Sequence, residues 1–503
     1  MNAPTSGRLR YRVLAIVLSA GALGCPPIIG AFQWARTDGG LDPDMATGVA
    51  PRPGGGAYVC GQFTGTAVFG AGQANETTLT AAGGPYDKDL YVARYDDSGA
   101  LDWVTSAGGP QDDCAADIVQ LFDSTIVVTG YFHNVATFGA GEDNETRLFA
   151  GGEFDQDAFV ARFTNDGALL WARREGGLGE NDAGTVISDF PDGSFVVAGT
   201  FEDRAVFDTG TLPPTVLNAG GPYDSNIFLA RYERDGDLVW VSGAGGPAPD
   251  VAPGLTTAPG GGIFMTGTFE DYAEFGVPAV QAPLRVNAYS SIDRDVFIAR
   301  YHGDGTVDWV RKATGIDIDD GLAVAAFLDG SVVVTGSFTD TILFAPDTAD
   351  EIRLTAETIL DRDAFVARYD RDGNLEWVRH AQGIDDDEAN AVAVIMGGDC
   401  IVAGTFTTTI TLGAGEANET TLTADSEFDR NIFVARYSGD GHLRAAARVP
   451  AISTALDAGV VPGGDVLVAG WLAGRATLRD TAGVTIPIAS AGAKDAFLAR
   501  MDF

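Results

Sequence analysis

The chain has 503 residues, 45% hydrophobic and 10% aromatic, with 66 glycines and 22 prolines. That composition supplies a substantial core and excludes a disordered chain. A formal net charge of −38 excludes a nucleic-acid binder, and excludes attraction to anionic lipid by charge.

The first predicted element is an export signal. Arg8, Arg10 and Arg12 precede an apolar run from Val13 to Gly24, and Cys25 follows. A positive start, a short apolar stretch and small residues before a cysteine describe a cleaved signal peptide over residues 1–24. The run is short for a membrane span. The phrase A-L-G-C resembles a bacterial lipobox, although Ala22 stands where leucine is most typical and Leu23 comes one place late. That resemblance implies lipidation of Cys25 and a short tether over 25–31. Ordinary cleavage without lipid is the alternative. Either way the chain is expected outside the cytoplasm, as an outer-membrane or periplasmic lipoprotein or at the cell surface. Its contact with a membrane is expected only through the anchor.

Residues 32–503 read as one repeat array. Trp34, Trp103, Trp171, Trp240, Trp309 and Trp377 lie 68 or 69 residues apart, and the next position in phase is Ala445. A second series has seven members: Arg94, Arg162, Arg231, Arg300, Arg368, Arg436 and Arg500, each in a phrase like F-V-A-R-Y. In the sixth repeat ANAVAVIMGG predicts strand A, DCIVAGTF strand B, NIFVARYS strand C and HLRAAARV strand D. The turns from C to D are of Asp-Gly or Ser-Gly type, which supply the positive φ of a tight hairpin. Four strands in each of seven units predict an all-β, seven-bladed propeller. FGAGQANETTLTA, FGAGEDNETRLFA and LGAGEANETTLTA, between strands B and C of repeats 1, 2 and 6, predict extra hairpins. Their Asn75, Asn144 and Asn418 stand in N-x-T sequons, read here as turn chemistry rather than glycosylation sites. The last repeat ends on strand C and FQWART near the start is a strand D, so the N-terminal strand is expected to close the ring and hide two sheet edges.

The run from Asp363 to Trp377, D-A-F-V-A-R-Y-D-R-D-G-N-L-E-W, and the I-V-A-G-T-F that follows in the next repeat, resemble the SBBP-type β-propeller repeat of bacterial envelope proteins. The resemblance implies the fold and an envelope setting, and no catalytic motif.

Two sets of acids recur. Before strand A stand Asp42 and Asp44, Asp112 and Asp113, Glu180 and Asp182, Asp250, Asp317 with Asp319 and Asp320, Asp385 with Asp386 and Asp387, and Asp457. Before strand C stands D-x-[DN], from Asp87 and Asp89 to Asp429 and Asn431, with Asp495 alone in the seventh repeat. Both sets are expected on the face where the D–A and B–C connections emerge. One reading is a cation face, with Ca²⁺ as the candidate cofactor and Asp112, Asp113, Asp317, Asp319, Asp320, Asp385, Asp386 and Asp387 as ligands. The other is that aspartates cap strand ends by accepting backbone N–H groups.

Cys25, Cys60, Cys114 and Cys400 have no zinc spacing, and Cys60 and Cys114, in neighbouring repeats, either pair or stay free. His133, His302, His380 and His442 are expected at surfaces or edges. No catalytic motif is found. The expected function is therefore non-catalytic binding by a monomeric scaffold, with an envelope protein or polysaccharide as partner, assisted by calcium. The alternative is a lyase or glycosidase acting on extracellular polysaccharide, because carboxylates are plentiful.

Overall fold

A computed structural model describes residues 31–503 except 153–154, 178–180, 208–213, 221–223, 277–280, 359–360, 427–428, 451 and 481–482. The expected signal peptide, Cys25 and residues 26–30 of the tether lie outside the described residues. Among those described there are 42 antiparallel strands, six to each of seven blades. Blade 6 shows the plan. Strand A is Glu388–Val394, B is Cys400–Thr407, C is Arg430–Tyr437 and D is Leu443–Val449, with a hairpin of Thr409–Leu412 and Thr420–Thr423 between B and C. The strands A touch one another in succession round the ring, including Met45–Pro51 of blade 1 on Ile452–Val460 of blade 7, so they form the innermost wall. Strand B runs are apolar on both faces because they are covered on both: all of Ala57–Thr64 is buried. Cores lie between neighbouring blades. One joins Ile401, Ala403 and Val434 of blade 6 to Val466, Val468 and Phe497 of blade 7.

The ring closes as expected. Ala31–Gly40 serves as strand D of blade 7, antiparallel to Asp495–Asp502, with Trp34 opposite Arg500. The strand begins at Ala31, the last residue of the expected tether. The extra hairpins are present but do not extend their own blades. Five of them add to the outer edge of the preceding blade, that of blade 2 meets blade 1 only at Gly108 and Thr137, and that of blade 7 stands as a two-stranded sheet. Gly176 and Gly177 of blade 2 pair with Val206 and Ala205 of blade 3, and Ala244 and Gly245 of blade 3 pair with Phe275 and Glu274 of blade 4. Five sheets are six-stranded as a result. The shared phrase in repeats 1, 2 and 6 docks each hairpin tip onto its own strand D. Asn75, Asn144 and Asn418 donate their amides to the carbonyls of Leu101, Leu169 and Leu443. Gln73, Glu142 and Glu416 accept the N–H groups of those same leucines.

The tryptophan and arginine series are one device. Arg94 faces Trp103 across strands C and D, and both donate to the carbonyl of Asn165 in the next blade's C–D turn, at 2.9 and 3.1 Å. Arg231 and Trp240 do the same to Gly303, at 2.7 and 3.0 Å. Arg300 and Trp309 share the carbonyl of Arg371, Arg368 and Trp377 that of Gly439, and Arg500 and Trp34 that of Asp97. In blade 2 Arg162 alone takes the carbonyl of Arg234. Blade 6 carries Ala445 at the tryptophan position because its neighbour has no C–D turn: strands C and D of blade 7 are the two ends of the chain. There Arg436 donates to the carbonyl of Phe503 instead.

Cys60, Cys114 and Cys400 are free thiols, all buried, so the Cys60–Cys114 pairing left open by the sequence is not made.

Candidate functional site

The recurrent acids lie at the blade junctions, and most are inside the protein rather than around its mouth. Asp44, Asp113, Asp182, Asp250, Asp319 and Asp387, at the start of strand A, are buried. All but Asp250 accept a backbone N–H from the end of their own strand B. Asp44 Oδ1 takes that of Thr64 at 2.8 Å and Asp113 Oδ1 that of His133 at 3.0 Å. In four blades an oxygen takes the N–H of a glycine four or five residues earlier: Gly40, Gly109, Gly177 and Gly246. Against each of them packs the acid or amide of the preceding blade's strand C: Asp495, Asp89, Asp157 and Asn226. At Gly108, a Cβ would stand 2.2 Å from Asp89 Oδ1 and 2.9 Å from Asp113 Oδ2; at Gly176 it would stand 2.4 Å from Asp157 Oδ1 and 2.6 Å from Asp182 Oδ2. Two carboxylates therefore face one another across a gap that only glycine leaves open. In the junctions of blades 4–5 and 5–6 the glycine N–H goes to the strand C acid instead, Gly315 to Asp295 and Gly383 to Asp363.

This geometry favours the capping role for the buried aspartates. Of the eight residues read as cation ligands, Asp113, Asp319 and Asp387 are buried caps. Asp320 accepts the Thr268 hydroxyl and lies near Arg294 and Arg362. Asp112 pairs with Lys88 at 2.6 Å. Asp386 lies 3.5 Å from Arg430, and Asp385 accepts the Thr408 hydroxyl. Asp317 sits at a turn with φ 75°. Among the described residues no group of three or more His, Cys, Asp or Glu side chains is arranged to hold a metal ion. Glu180 lies outside the described residues. Asp457 is not the seventh member of the set before strand A. It sits within strand A and accepts the N–H of Val49 in blade 1, at 2.7 Å. The equivalent of Asp319 in blade 7 is Ser453, opposite Leu472 as Asp319 is opposite Phe338. Sequence reasoning also missed Asp117, the counterpart of Asp457 in blade 2, which accepts the N–H of Ile187 in blade 3.

Burial raises the proton affinity of these carboxyls. Desolvation, aided by a neighbouring acid, pushes Asp44 up to about 7, Asp113 and Asp182 to about 9 and about 8, and Asp250 to about 8. Asp89 rises to about 7 for the same reason. The turn aspartates move the other way: Asp192 and Asp329 are held below the usual range by hydrogen bonds from Ser194 and Ser331. Of the histidines, His380 is not at the surface: it is largely enclosed and meets the buried Asp363 at 2.6 Å.

The opposite face is built from the A–B and C–D turns. The second residue of every A–B turn is apolar and exposed: Pro53, Pro191, Pro259 and Pro462 in four blades, Phe122, Leu328 and Met396 in the others. The last three are 87%, 81% and 92% exposed. They stand near the axis, since strand A is innermost. Around them the C–D and A–B turns carry exposed acids, among them Asp97, Asp166, Asp192, Asp329 and Asp372. The larger cavities lie on the outer rim instead. One of about 880 Å³ is bordered by Arg36, Asp42, Thr66 and Pro487 between the hairpins of blades 7 and 1.

No protein-family model matches the chain. It is 20% identical over 356 residues to an uncharacterized WD repeat-containing protein of Acanthamoeba polyphaga mimivirus, covering 63% of this chain and 26% of that one. It is 26% identical over 238 residues to the regulatory protein FlaEY of Caulobacter vibrioides, covering 41% and 23%. The matches thus span about a quarter of the length of each relative. Among solved structures, Sqt1 from Chaetomium thermophilum is 10% identical with a TM-score of 0.40, over 92% of this chain and 87% of that one. The chain is a seven-bladed β-propeller with radial antiparallel sheets, akin to WD-repeat and other propeller proteins.

Proposed function

We propose that this chain is a non-catalytic scaffold of the bacterial envelope that binds a protein partner through its A–B turn face. The observation that carries this reading is the set of exposed apolar side chains Phe122, Leu328 and Met396 beside the axis, with proline at the same turn position in every other blade. Fully covering each of the three would contribute about 1.5–3 kcal/mol. The acidic turns around them favour a partner segment whose apolar residues are flanked by lysine or arginine. A ring cross-linked at every junction holds the turns in place, which lowers the ordering cost of association. The N-terminal Arg-rich, apolar and Cys25 sequence supports export, and the resemblance to envelope repeats supports the setting. Calcium assistance rests on the acids of the other face that stay open to solvent, Asp317, Asp385 and Asp386.

The test compares the wild-type chain with Phe122→Ser/Leu328→Ser/Met396→Ser as bait, in calcium and in chelator, against envelope extract, a panel of basic amphipathic peptides and a polysaccharide panel. The expected result is at least tenfold weaker binding of one identified protein and of the basic peptides by the triple variant, at unchanged thermal stability, and weaker binding at high salt. Equal binding by both baits, or retention of polysaccharide alone, overturns the reading.

A further inference from the structure

At six of the seven blade junctions two side chains surround one glycine N–H, and the junctions solve that contest differently. Between blades 2 and 3 the Arg174 guanidinium meets Asp157. Between blades 4 and 5 Lys312 lies near Asp295, and between 5 and 6 His380 meets Asp363. Between blades 3 and 4 one acid is replaced by Asn226, and between 6 and 7 both positions are neutral, Asn431 and Ser453. Among the described residues, only the junctions flanking blade 1 keep two acids with no basic side chain on them. The residues that face the pair from strand D are Ser106 and Thr37 where the other diacid junctions have Arg174, Lys312 and His380. In both, one oxygen of a buried aspartate has no partner, Asp89 Oδ1 and Asp495 Oδ1; the other diacid junctions have such an oxygen too, at Asp157, Asp319 and Asp387, but there a basic side chain stands by the pair. Asp89 Oδ1 lies across the Gly108 gap from Asp113 Oδ2, and Asp495 lies beside Asp44 Oδ2 at Gly39.

We propose that each junction of blade 1 is held shut by one shared proton, between Asp89 and Asp113 on one side and between Asp495 and Asp44 on the other, so that alkali loosens the ring at this blade. Two acceptors without a donor between them are unfavourable in a dry site, and a proton turns one into a donor. Asn226, and Asn431 with Ser453, put uncharged groups at the junctions after blades 3 and 6, so neither junction there buries two acids.

The surrounding charges do not supply an alternative. Lys88 is engaged by Asp112, and the Lys494 ammonium lies over the Trp471 ring. The His133 ring bonds to the Asp112 carbonyl. Desolvation raises Asp38, and the Tyr95 hydroxyl, the Gly70 N–H and Arg36 offset part of that rise. Asp87 beside Asp113, and Asp42 beside Asp44, add negative charge. Asp117 and Asp457, which flank strand A of blade 1, are themselves pushed up by desolvation, to about 8 and about 6. Cys60, Cys114, Tyr91 and Tyr131 stay neutral through burial.

The sign follows from linkage. A carboxyl that holds its proton more tightly folded than unfolded stabilises fully below the unfolded value near 4, and that stability is lost as pH rises through the folded value. With Asp44 and Asp89 near 7 and Asp113 near 9, the loss runs between about pH 4 and 9. Within that window each retained proton raises the unfolding equilibrium constant about tenfold per pH unit.

The test is denaturant unfolding of the wild type and of Asp89→Asn/Asp495→Asn from pH 5 to 9, in chelator and in calcium. Each new amide is uncharged and carries N–H donors that can be turned to where the borrowed hydrogen lay. The expected result is a pH slope shallower by up to about a hundredfold per unit in the unfolding constant, and a variant more stable than wild type above pH 7. The chain's overall charge adds a slope common to both proteins, so only their difference is read. Infrared spectra at neutral pH should show protonated carboxyl absorption in the wild type that the variant lacks in part. An unchanged slope, equal loss at every pH, or no protonated carboxyl in the wild type overturns the proposal. So does calcium restoring the wild type alone at alkaline pH, which would place a cation in the gap.

Discussion

Gly305, Trp240 and Arg231 show how single residues hold this ring. The indole of Trp240 lies under the C–D turn of blade 4, and Gly305 in that turn has φ +85°. A Cβ there would stand 2.9 Å from the ring. Gly260, in an A–B turn, has φ +99° with nothing near its Cβ position. Gly305→Ala and Gly260→Ala share the conformational cost of a side chain at positive φ, about 1 kcal/mol. Only Gly305→Ala also displaces Trp240. We expect it to cost about 1–2 kcal/mol more than Gly260→Ala in urea unfolding. Equal costs would show that the indole yields without loss. The tryptophan, arginine and turn-glycine series were legible because each is the same residue at the same spacing, and even the break at Ala445 marks the open seam in blade 7. The aspartates were legible as a repeat and not as partners. Which atom each one meets depends on a strand from another blade, so Asp457 was grouped with the wrong set, and Asp117 and the A–B turn apolar residues passed unnoticed.

At the scale of elements, the strand order A, B, C, D and the N-terminal closure could be read from alternation and turns, whereas the destination of the B–C hairpin could not. Its alternation says that it is a hairpin. Only the twist of the ring brings it to the edge of the preceding blade, where Gly177 pairs with Ala205 rather than with its own sheet. The N-terminal strand therefore has two duties: it completes blade 7 against Asp495–Asp502, and Gly39 and Gly40 pair with the blade 1 hairpin at Val68 and Ala67. Its Phe32 and Trp34 are buried. Removing residues 31–40 should cost at least about 3–6 kcal/mol from those two side chains. It also bares the Asp495–Asp502 edge to self-association. Ultracentrifugation should then show oligomers, and a synthetic peptide of residues 31–40 should restore the monomer. A truncated chain that stays monomeric and as stable as before would mean that the seam adds nothing to closure.

For the whole molecule, 70 acidic residues stand against 32 lysines and arginines, and the structure spends many of the latter on fixed clamps. Arg162 and Arg500, for instance, each join an aspartate of their own A–B turn to a carbonyl of the next blade. The remaining negative charge is spread over exposed turns, where repulsion is long-range and screened within about 10 Å at 0.1 M salt. Added salt should therefore raise the thermal midpoint, most steeply below about 0.2 M, and sodium and potassium chloride should act alike. The effect should be smaller at pH 5 than at pH 8, because the buried pairs then hold their protons and the total charge is lower. Calcium chloride at matched ionic strength separates screening from site binding. If screening alone acts, it gives the same midpoint. An excess shift that disappears in Asp317→Asn/Asp385→Asn/Asp386→Asn would assign calcium to the exposed acids of the D–A face. A midpoint that does not rise with any salt would show that the ring tolerates its charge without help, and would remove saline surroundings as an explanation for so acidic a surface.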